Sequence, residues 1–518
     1  MYLTQGLHRA TAVRPHAVAT IFRDRRRTFA QVGNRVSRLA GGLRGLGLDP
    51  GARICMVALN SDRYLEYYLG TYWAGFCVNP ANIRWTAAEI AYSLDDSDTT
   101  VCIVDDQFVP MVADLRECSR ALKTVIYAGE GASPDGMLSF EDLIAKSAPV
   151  EDAMRRGDDM AGVFYTGGTT GFPKGVMLSH LGLASNALSV LAEGVAAEGA
   201  IGLHAAPMFH LADGCFMNAL LIRGATHVFI PSFTPVGVLE VIQRERITDS
   251  LLVPTMIQMT VDHADAANYD LSSLRRLLYG GSAISEPVIE RATKLLPNTD
   301  FYQAYGMTEV SPCATILGPE YHTADGRKLG KALSGGRPLS CAEVRIVDEG
   351  DKEVPRGTVG EVTVRGPGVM LGYWNRPEET RAALRNGWMH TGDGARMDEE
   401  GFVFIVDRMK DMIVSGGENV YSLEVENALQ RHPAVASCAV IGIPDDTWGE
   451  LVHAVLVLKP GATASAEQIQ DHCKSLIASY KCPRQVEFVG ALPISGAGKV
   501  LKSKLREPHW QGRERRVA

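Results

Sequence analysis

The sequence predicts a two-part chain: a large N-terminal α/β domain of parallel-type sheets covered by helices, with a small β subdomain at its end, then a smaller α+β C-terminal domain. Three observations carry this reading. Strand-like apolar runs alternate with helical patterns through the first 300 residues, which is the pattern of helix-covered parallel sheets. From about Ala342 the text switches to short β-rich runs separated by Gly, Pro and Asp. Roughly the last 100 residues carry their own strands and helices, enough for a separate unit. A chain of 518 residues also exceeds what one core ordinarily serves. The expected division is 1–406 for the large domain (β subdomain from about 340 to 406), 407–411 for a junction, and 412–518 for the small domain.

In chain order, strands are expected at 54–59, 101–104, 160–165, 226–230, 250–253 and 276–279, each a short apolar run. Helical spacing marks 61–74, 181–191 after a start signal at Ser179, and 236–246. The β subdomain is expected to use 343–347, 360–364 and 401–406. In the small domain a helix at 423–430 leads to strands at 436–443 and 452–458. Ser465-Ala-Glu-Gln468 reads as a capping box, opening a helix whose face holds Ile469, Cys473, Leu476, Ile477 and Tyr480. The tail from 481 to 518 has nine Lys/Arg against three Glu, the composition of a solvated surface or of one that meets phosphates.

Bulk properties exclude several classes. Hydrophobic content of 46% and charged content of 22% are those of a globular protein. The net charge of −8 speaks against a nucleic-acid binder. Ten cysteines without a C-x-x-C pair match reduced thiols, not a disulfide framework or zinc site. The N-terminus has no signal pattern, and no run approaches the ~18–20 apolar residues that span a bilayer. A cytoplasmic monomer or homodimer without a transmembrane segment is expected, with peripheral membrane contact left open.

The most informative stretch is Tyr165-Thr-Gly-Gly-Thr-Thr-Gly-Phe-Pro-Lys174-Gly. It reads as a connection from the strand at 160–165 to the helix at 181–191. Its glycines can turn several N–H groups towards one point, a nest that holds anions. Threonine hydroxyls and the Lys174 ammonium add donors, so a phosphate chain is the preferred guest. No Gly-Lys-Ser/Thr occurs, so it is not a Walker A loop. Composition alone also allows a plain turn-rich connection. Further along stand Tyr305-Gly-Met-Thr-Glu309, an aromatic face, a hydroxyl and a carboxylate within five residues. Gly280-Gly-Ser-Ala283, Thr391-Gly-Asp393, Asp407-Arg-Met-Lys-Asp411, Ser415-Gly-Gly-Glu418 and Pro493-Ile-Ser-Gly-Ala-Gly-Lys499 follow the same punctuated style.

In this order and spacing the segments resemble the motif set of the adenylate-forming superfamily, which includes acyl-CoA synthetases, luciferases and the adenylation domains of peptide synthetases. The acyl-CoA synthetases fit best. Gly167 stands where the family usually has serine, so one hydroxyl donor is absent. The resemblance implies that Thr166, Gly167, Gly168, Thr169, Thr170, Gly171 and Lys174 hold the ATP phosphates. It implies that Gly281, Ser282, Ala283 and Tyr305 line the adenine, that Gly306 and Met307 belong to the same ATP/AMP site, and that Thr308 meets the α-phosphate. Glu309 would bind Mg²⁺, Asp393 the ribose hydroxyls, and Arg408 the nucleotide. Lys410 would be the hinge of a mobile C-terminal domain. Ser415, Gly416, Gly417 and Glu418 would approach the pantetheine of coenzyme A, and Lys499 would enter the site for the first half-reaction. His210 would stand at the mouth of an acyl pocket lined by Phe209, His210, Gly214, Cys215, Tyr279 and Gly280.

The reaction implied is attack of a small-molecule carboxylic acid on the α-phosphorus of ATP, giving acyl-AMP and pyrophosphate, then transfer to CoA. A carboxylate is ionised at pH 7, so neither a general base nor a protein nucleophile is needed. With no Lys or Arg in the pocket segments and small residues at Ala212, Gly214 and Cys215, a medium- or long-chain fatty acid is expected, with an aryl or hydroxycinnamic acid as the alternative. Loading of a carrier protein in trans and a luciferase-type oxidation are further alternatives; the chain ends 19 residues after Lys499, and no tethered carrier domain is expected. From a different class, a catalytically silent nucleotide-binding regulatory protein would explain Gly167, but it has no need of Lys499.

Overall fold

The structure is a computed structural model that describes residues 1–166, 173–282, 284–408, 411–416, 418–445, 447–495 and 500–511, with the side chain of Arg408 left out. Among the described residues the strands form four sheets. The first has nine strands. Its parallel body runs in the order Asp300–Gly306, Arg276–Gly280, Asp249–Leu252, Ile201–His204, Thr226–Phe229 and Val18–Phe22. Antiparallel strands close its edges: Cys313–Leu317 with Arg337–Pro338 on one side, Arg25–Thr28 on the other. The second sheet has eight strands, with a parallel body ordered Met160–Thr166, Cys77–Pro80, Arg53–Val57, Val101–Val104, Thr124–Tyr127 and Leu138–Ser139.

Parallel strands covered on both faces need apolar residues on both, which is why Val101–Val104 is a continuous apolar run buried throughout. Between the sheets lies the helix Asp62–Ala74, started by the Ser61 side chain accepting from the Tyr64 N–H and ended at Gly75 with φ +86°. All of its residues are buried. It packs against Val18–Phe22 and Thr226–Phe229 of the first sheet and Arg53–Val57 and Cys77–Pro80 of the second. One core therefore joins Phe22 and Phe229, Ile54 and Phe164, and Val344 and Val362 of the third sheet.

That third sheet is antiparallel: Glu343–Val347, Val359–Arg365, Trp388–Met397 and Val403–Arg408, with the short Leu384–Arg385 alongside. The fourth belongs to the smaller α+β C-terminal domain. It comprises Glu418–Val420, Ile413–Ser415, Gly449–Leu458 and Val435–Asp445, with Gln485–Phe488 running parallel to Gly449–Leu458. The helices Ser422–Gln430 and Ala466–Lys474 cover one face of this sheet.

Two local expectations are corrected. The segment after the glycine-rich stretch is not a direct lead into helix: Lys174–Ser179 is a strand, antiparallel to Met160–Thr166, and the helix His180–Ala192 starts only after it. Burial of Val176 and Leu178 against the sheet holds this strand. The capping box at Ser465 and Gln468 forms in both directions, but its helix stops at Lys474. Leu476 and Tyr480 are exposed instead of extending the buried face of Ile469 and Cys473. Pro483 disfavours helical geometry just beyond, and the chain takes a 3-10 turn at Ser479–Lys481. No helix among the described residues is long and apolar enough to cross a membrane.

Candidate active site

The hairpin of Met160–Thr166 and Lys174–Ser179 sets Thr166 opposite Lys174. Gly167, Gly168, Thr169, Thr170 and Gly171 lie between them, outside the described residues. The Tyr165 hydroxyl donates to Asp96 Oδ2 at 2.6 Å and so ties down one stem. On the other stem Lys174 Nζ pairs with the Glu379 carboxylate and stands 5.2 Å from the centre of the Tyr373 ring. Tyr373 belongs to Gly372–Tyr373, which pairs with the Lys174–Ser179 strand. Its hydroxyl donates to Glu309 Oε1 at 2.9 Å. One phenol thus joins Lys174 and Glu309, residues far apart in sequence.

Glu309 reaches this position through a tight local structure. Strand Asp300–Gly306 ends at Gly306, where a Cβ would fall 1.9 Å from the Pro312 carbonyl oxygen; only glycine fits so close an approach. The chain then makes a single 3-10 turn, Thr308–Val310, and Ser311 takes the left-handed conformation with φ +71°. The turn carries the Glu309 side chain inwards, to 6% exposure. The Glu309 carbonyl accepts the Met370 N–H at 2.9 Å, fixing the backbone from the other side. Burial, reinforced by the Glu309 carboxylate, pushes the Tyr373 phenol above its ordinary pKa, so it remains protonated and donating.

Four residues upstream, the Tyr305 hydroxyl donates to Asp393 Oδ2 at 2.8 Å. Asp393 is buried on Trp388–Met397, in register with Arg408 on the next strand. The Asp393 N–H donates to Thr391 Oγ1 at 3.1 Å, and the Thr391 hydroxyl to the Val362 carbonyl at 2.8 Å. Gly280 is in register with Ala304, so Gly281 and Ser282 leave the sheet beside Tyr305; Ala283 lies outside the described residues. Gly281, Tyr305 and Glu309 thus lie at the carboxyl ends of the adjacent parallel strands Arg276–Gly280 and Asp300–Gly306, where open α/β sheets bind ligands; Tyr373 links Lys174 of the second sheet to Glu309, and Tyr305 links Asp393 of the third. Met307 and Thr308 lie in the same turn.

On the adjoining face of the first sheet, His210 precedes the helix Leu211–Arg223, and its carbonyl accepts the Gly214 N–H at 3.2 Å. Its ring lies 4.3 Å from that of buried Phe209. Cys215 is buried with Leu278, Tyr302 and Cys313, and its Sγ donates to Asn186 Oδ1 at 3.4 Å. The Cys313 thiol beside it and burial both push the Cys215 thiol up. Tyr279 is a correction. Successive strand residues face opposite ways, so Leu278 points into the Cys215 layer and Tyr279 into the other. The Tyr279 hydroxyl is engaged there by Gln303 Oε1 at 3.1 Å and His322 Nε2 at 2.8 Å.

In the small domain Ser415 pairs with Glu418 across a hairpin. Gly416 has φ +62°, and a Cβ there would come 2.7 Å from the Trp448 ring. Lys410, Gly417 and Lys499 are outside the described residues, as is the Arg408 side chain. The stem of the Lys499 segment is described: Ile494 bridges Val500, and the Ser495 carbonyl accepts from Arg84 Nη1 of the large domain at 3.0 Å. Sequence reading missed Tyr373, Glu379, Arg84 and the pair Trp448 and Arg484, whose guanidinium lies 4.0 Å from the indole centre. Only Tyr373 left a trace, in the aromatic pair of Leu371-Gly-Tyr-Trp374.

Comparison with known proteins identifies the family. The family model described as AMP-binding enzyme matches residues 7–374, and that of the AMP-binding enzyme C-terminal domain matches 424–499. A feruloyl-CoA synthase of an Amycolatopsis species is 39% identical, covering 96% of this chain and 97% of the relative. A medium/long-chain-fatty-acid–CoA ligase of Mycobacterium tuberculosis is 36% identical, covering 95% and 88%. The crystal structure of an anthranilate CoA ligase in complex with anthranoyl-AMP superposes with a TM-score of 0.91 at 30% identity, covering 98% and 97%.

Proposed function

The chain belongs to the AMP-binding enzymes, and from that premise we propose that it converts an aryl or hydroxycinnamic acid to its acyl-AMP and then to its CoA thioester. The family chemistry is that of an AMP-forming acyl-CoA synthetase using ATP, Mg²⁺ and coenzyme A. The observation that carries the site assignment is the contact chain Lys174–Tyr373–Glu309 beside Tyr305–Asp393.

In this reading Lys174 and residues 166–171 hold the outer phosphates. Glu309, a buried carboxylate oriented by a phenol, is a hard oxygen ligand of the kind Mg²⁺ takes; bound there, the ion would neutralise phosphate charge. Asp393 accepts the ribose hydroxyls, which a carboxylate with two oxygens does well. Tyr305 presents its ring to the adenine, held at its hydroxyl by Asp393. Catalysis rests on positioning and on charge stabilisation in a site from which no proton need be removed. Lys499 serves the first step. Rotation of the small domain at 407–411 then exchanges it for the segment of Ser415, Gly416, Gly417 and Glu418. The exposed stack of Trp448 on Arg484 beside Gly416 offers a ring face and a cation, which favours CoA, with its purine and phosphates, over a carrier protein.

Two points favour an aromatic acid over the fatty acid expected from small pocket residues. The feruloyl-CoA synthase likeness is the higher of the two relatives' identities. The layer beyond Cys215 is also filled by buried Phe216, Ala219, Leu220 and Ile316, which suits a short, flat acid. A medium- or long-chain fatty acid is the second reading, supported by the 36% likeness to the mycobacterial ligase. Thioester formation should be followed with ferulate, benzoate, octanoate and palmitate. Highest kcat/KM with ferulate or benzoate is expected; highest with octanoate or palmitate would replace the first reading by the second.

A further inference from the structure

The central strand of the C-terminal sheet, Gly449–Leu458, sends Val452 and Ala454 into the core of that domain. His453 between them faces the other side. There it meets Glu487 of the neighbouring strand, His453 Nε2 lying 3.3 Å from Glu487 Oε2. The chain after Val500 crosses this face: Leu505 packs on Ile441, Ile443 and Leu451, and Trp510 Nε1 donates to the Gly442 carbonyl at 3.0 Å. These two anchors bracket the turn Glu507–His509 and set the His509 ring 5.2 Å from that of His453. One ligand atom from each of His453, Glu487 and His509 lies within 4.8 Å of the others.

We propose that His453, Glu487 and His509 bind a divalent cation of the zinc class, at a site separate from the magnesium that accompanies ATP. Two imidazoles and one carboxylate with a fourth position for water is a set that zinc takes, and imidazole selects such ions over Mg²⁺ and Ca²⁺. Ligands at 2.0–2.1 Å around a tetrahedral ion lie about 3.3 Å apart, which the His453–Glu487 pair already satisfies. His509 has to close in by rotation of its side chain. His453 is 4% exposed, and its Nδ1 has no hydrogen-bond partner among the described residues, so a buried polar ring stands ready for an ion or for a group that hydrogen-bonds the ring and orients it. Occupancy would tie the segment 500–511 to the sheet beneath it.

The test is calorimetric titration of metal-free, full-length protein with Zn²⁺ in the presence of excess Mg²⁺. One equivalent should bind with a Kd of about 1 μM or tighter and raise the thermal midpoint. His509→Ala and Glu487→Gln should each weaken binding about 10-fold or more and leave Mg²⁺-dependent adenylate formation unchanged. Glu487 is exposed and His509 partly so, which leaves the fold intact in both variants. Absence of saturable binding, or equal affinity in His509→Ala and the parent, would overturn the proposal; His453 and Glu487 would then be a plain hydrogen-bonded pair.

Discussion

Tyr373 gives the site its coherence at the scale of single residues, because it touches the Lys174 ammonium with its ring and the Glu309 carboxylate with its hydroxyl. Tyr373→Phe keeps the packing and removes the donor, so adenylate formation should slow by about 10-fold, against about 10²–10³-fold for Glu309→Gln. Pyrophosphate release at saturating ATP checks both. Asp393→Ala should raise the KM for ATP with a smaller effect on kcat, since it removes binding common to ground and transition states. Lys174, Glu309, Tyr305 and Asp393 could be singled out from sequence because each sits in a short motif whose residue types suit a nucleotide, and the structure links them through Tyr373 and the Tyr305 hydroxyl. Tyr373 and the Trp448–Arg484 pair were not, since each acts only through a tertiary contact. Tyr279 was misplaced because sequence adjacency to Gly280 puts a strand residue on the opposite face.

Among elements, the glycine-rich hairpin shows what pattern reading missed. Val176 and Leu178 alternate towards the core as a strand requires, but the run is short and begins with Pro-Lys-Gly, so the helix after Ser179 dominated the signal. That helix begins with His180, buried at 1% exposure against the Tyr72 ring, with no hydrogen-bond partner for either ring nitrogen among the described residues. Burial lowers its pKa from 6.5 to about 4. Below pH 6.5 the unfolded chain therefore binds a proton that the folded chain refuses until about pH 4. Stability should fall across that window by about 1.4 kcal/mol per pH unit for this group. Denaturant midpoints at neutral and mildly acidic pH should show this loss, and His180→Phe should reduce it; an unchanged pH dependence in the variant would refute the assignment.

Across the whole molecule, the alternation of strands and helices was enough to anticipate helix-covered parallel sheets, a β subdomain and a small α+β domain. Their assembly was not readable: the helix Asp62–Ala74 buried on every side, and the third sheet delivering Asp393 to the end of the first, depend on packing between distant segments. The proposed division of labour between domains predicts that Lys499→Ala abolishes adenylate formation yet spares thioester formation from supplied acyl-AMP. Equal loss of both half-reactions would contradict it. The claim on which all of this depends is that Lys174, Glu309 and Asp393 serve one ATP whose α-phosphorus is attacked by a carboxylate. A rapid-quench single turnover with α-labelled ATP, Mg²⁺ and ferulate, CoA omitted, tests it directly. The account predicts labelled acyl-AMP in the parent enzyme and almost none in Glu309→Gln. Label appearing in ADP, or an undiminished adenylate yield in that variant, would contradict it.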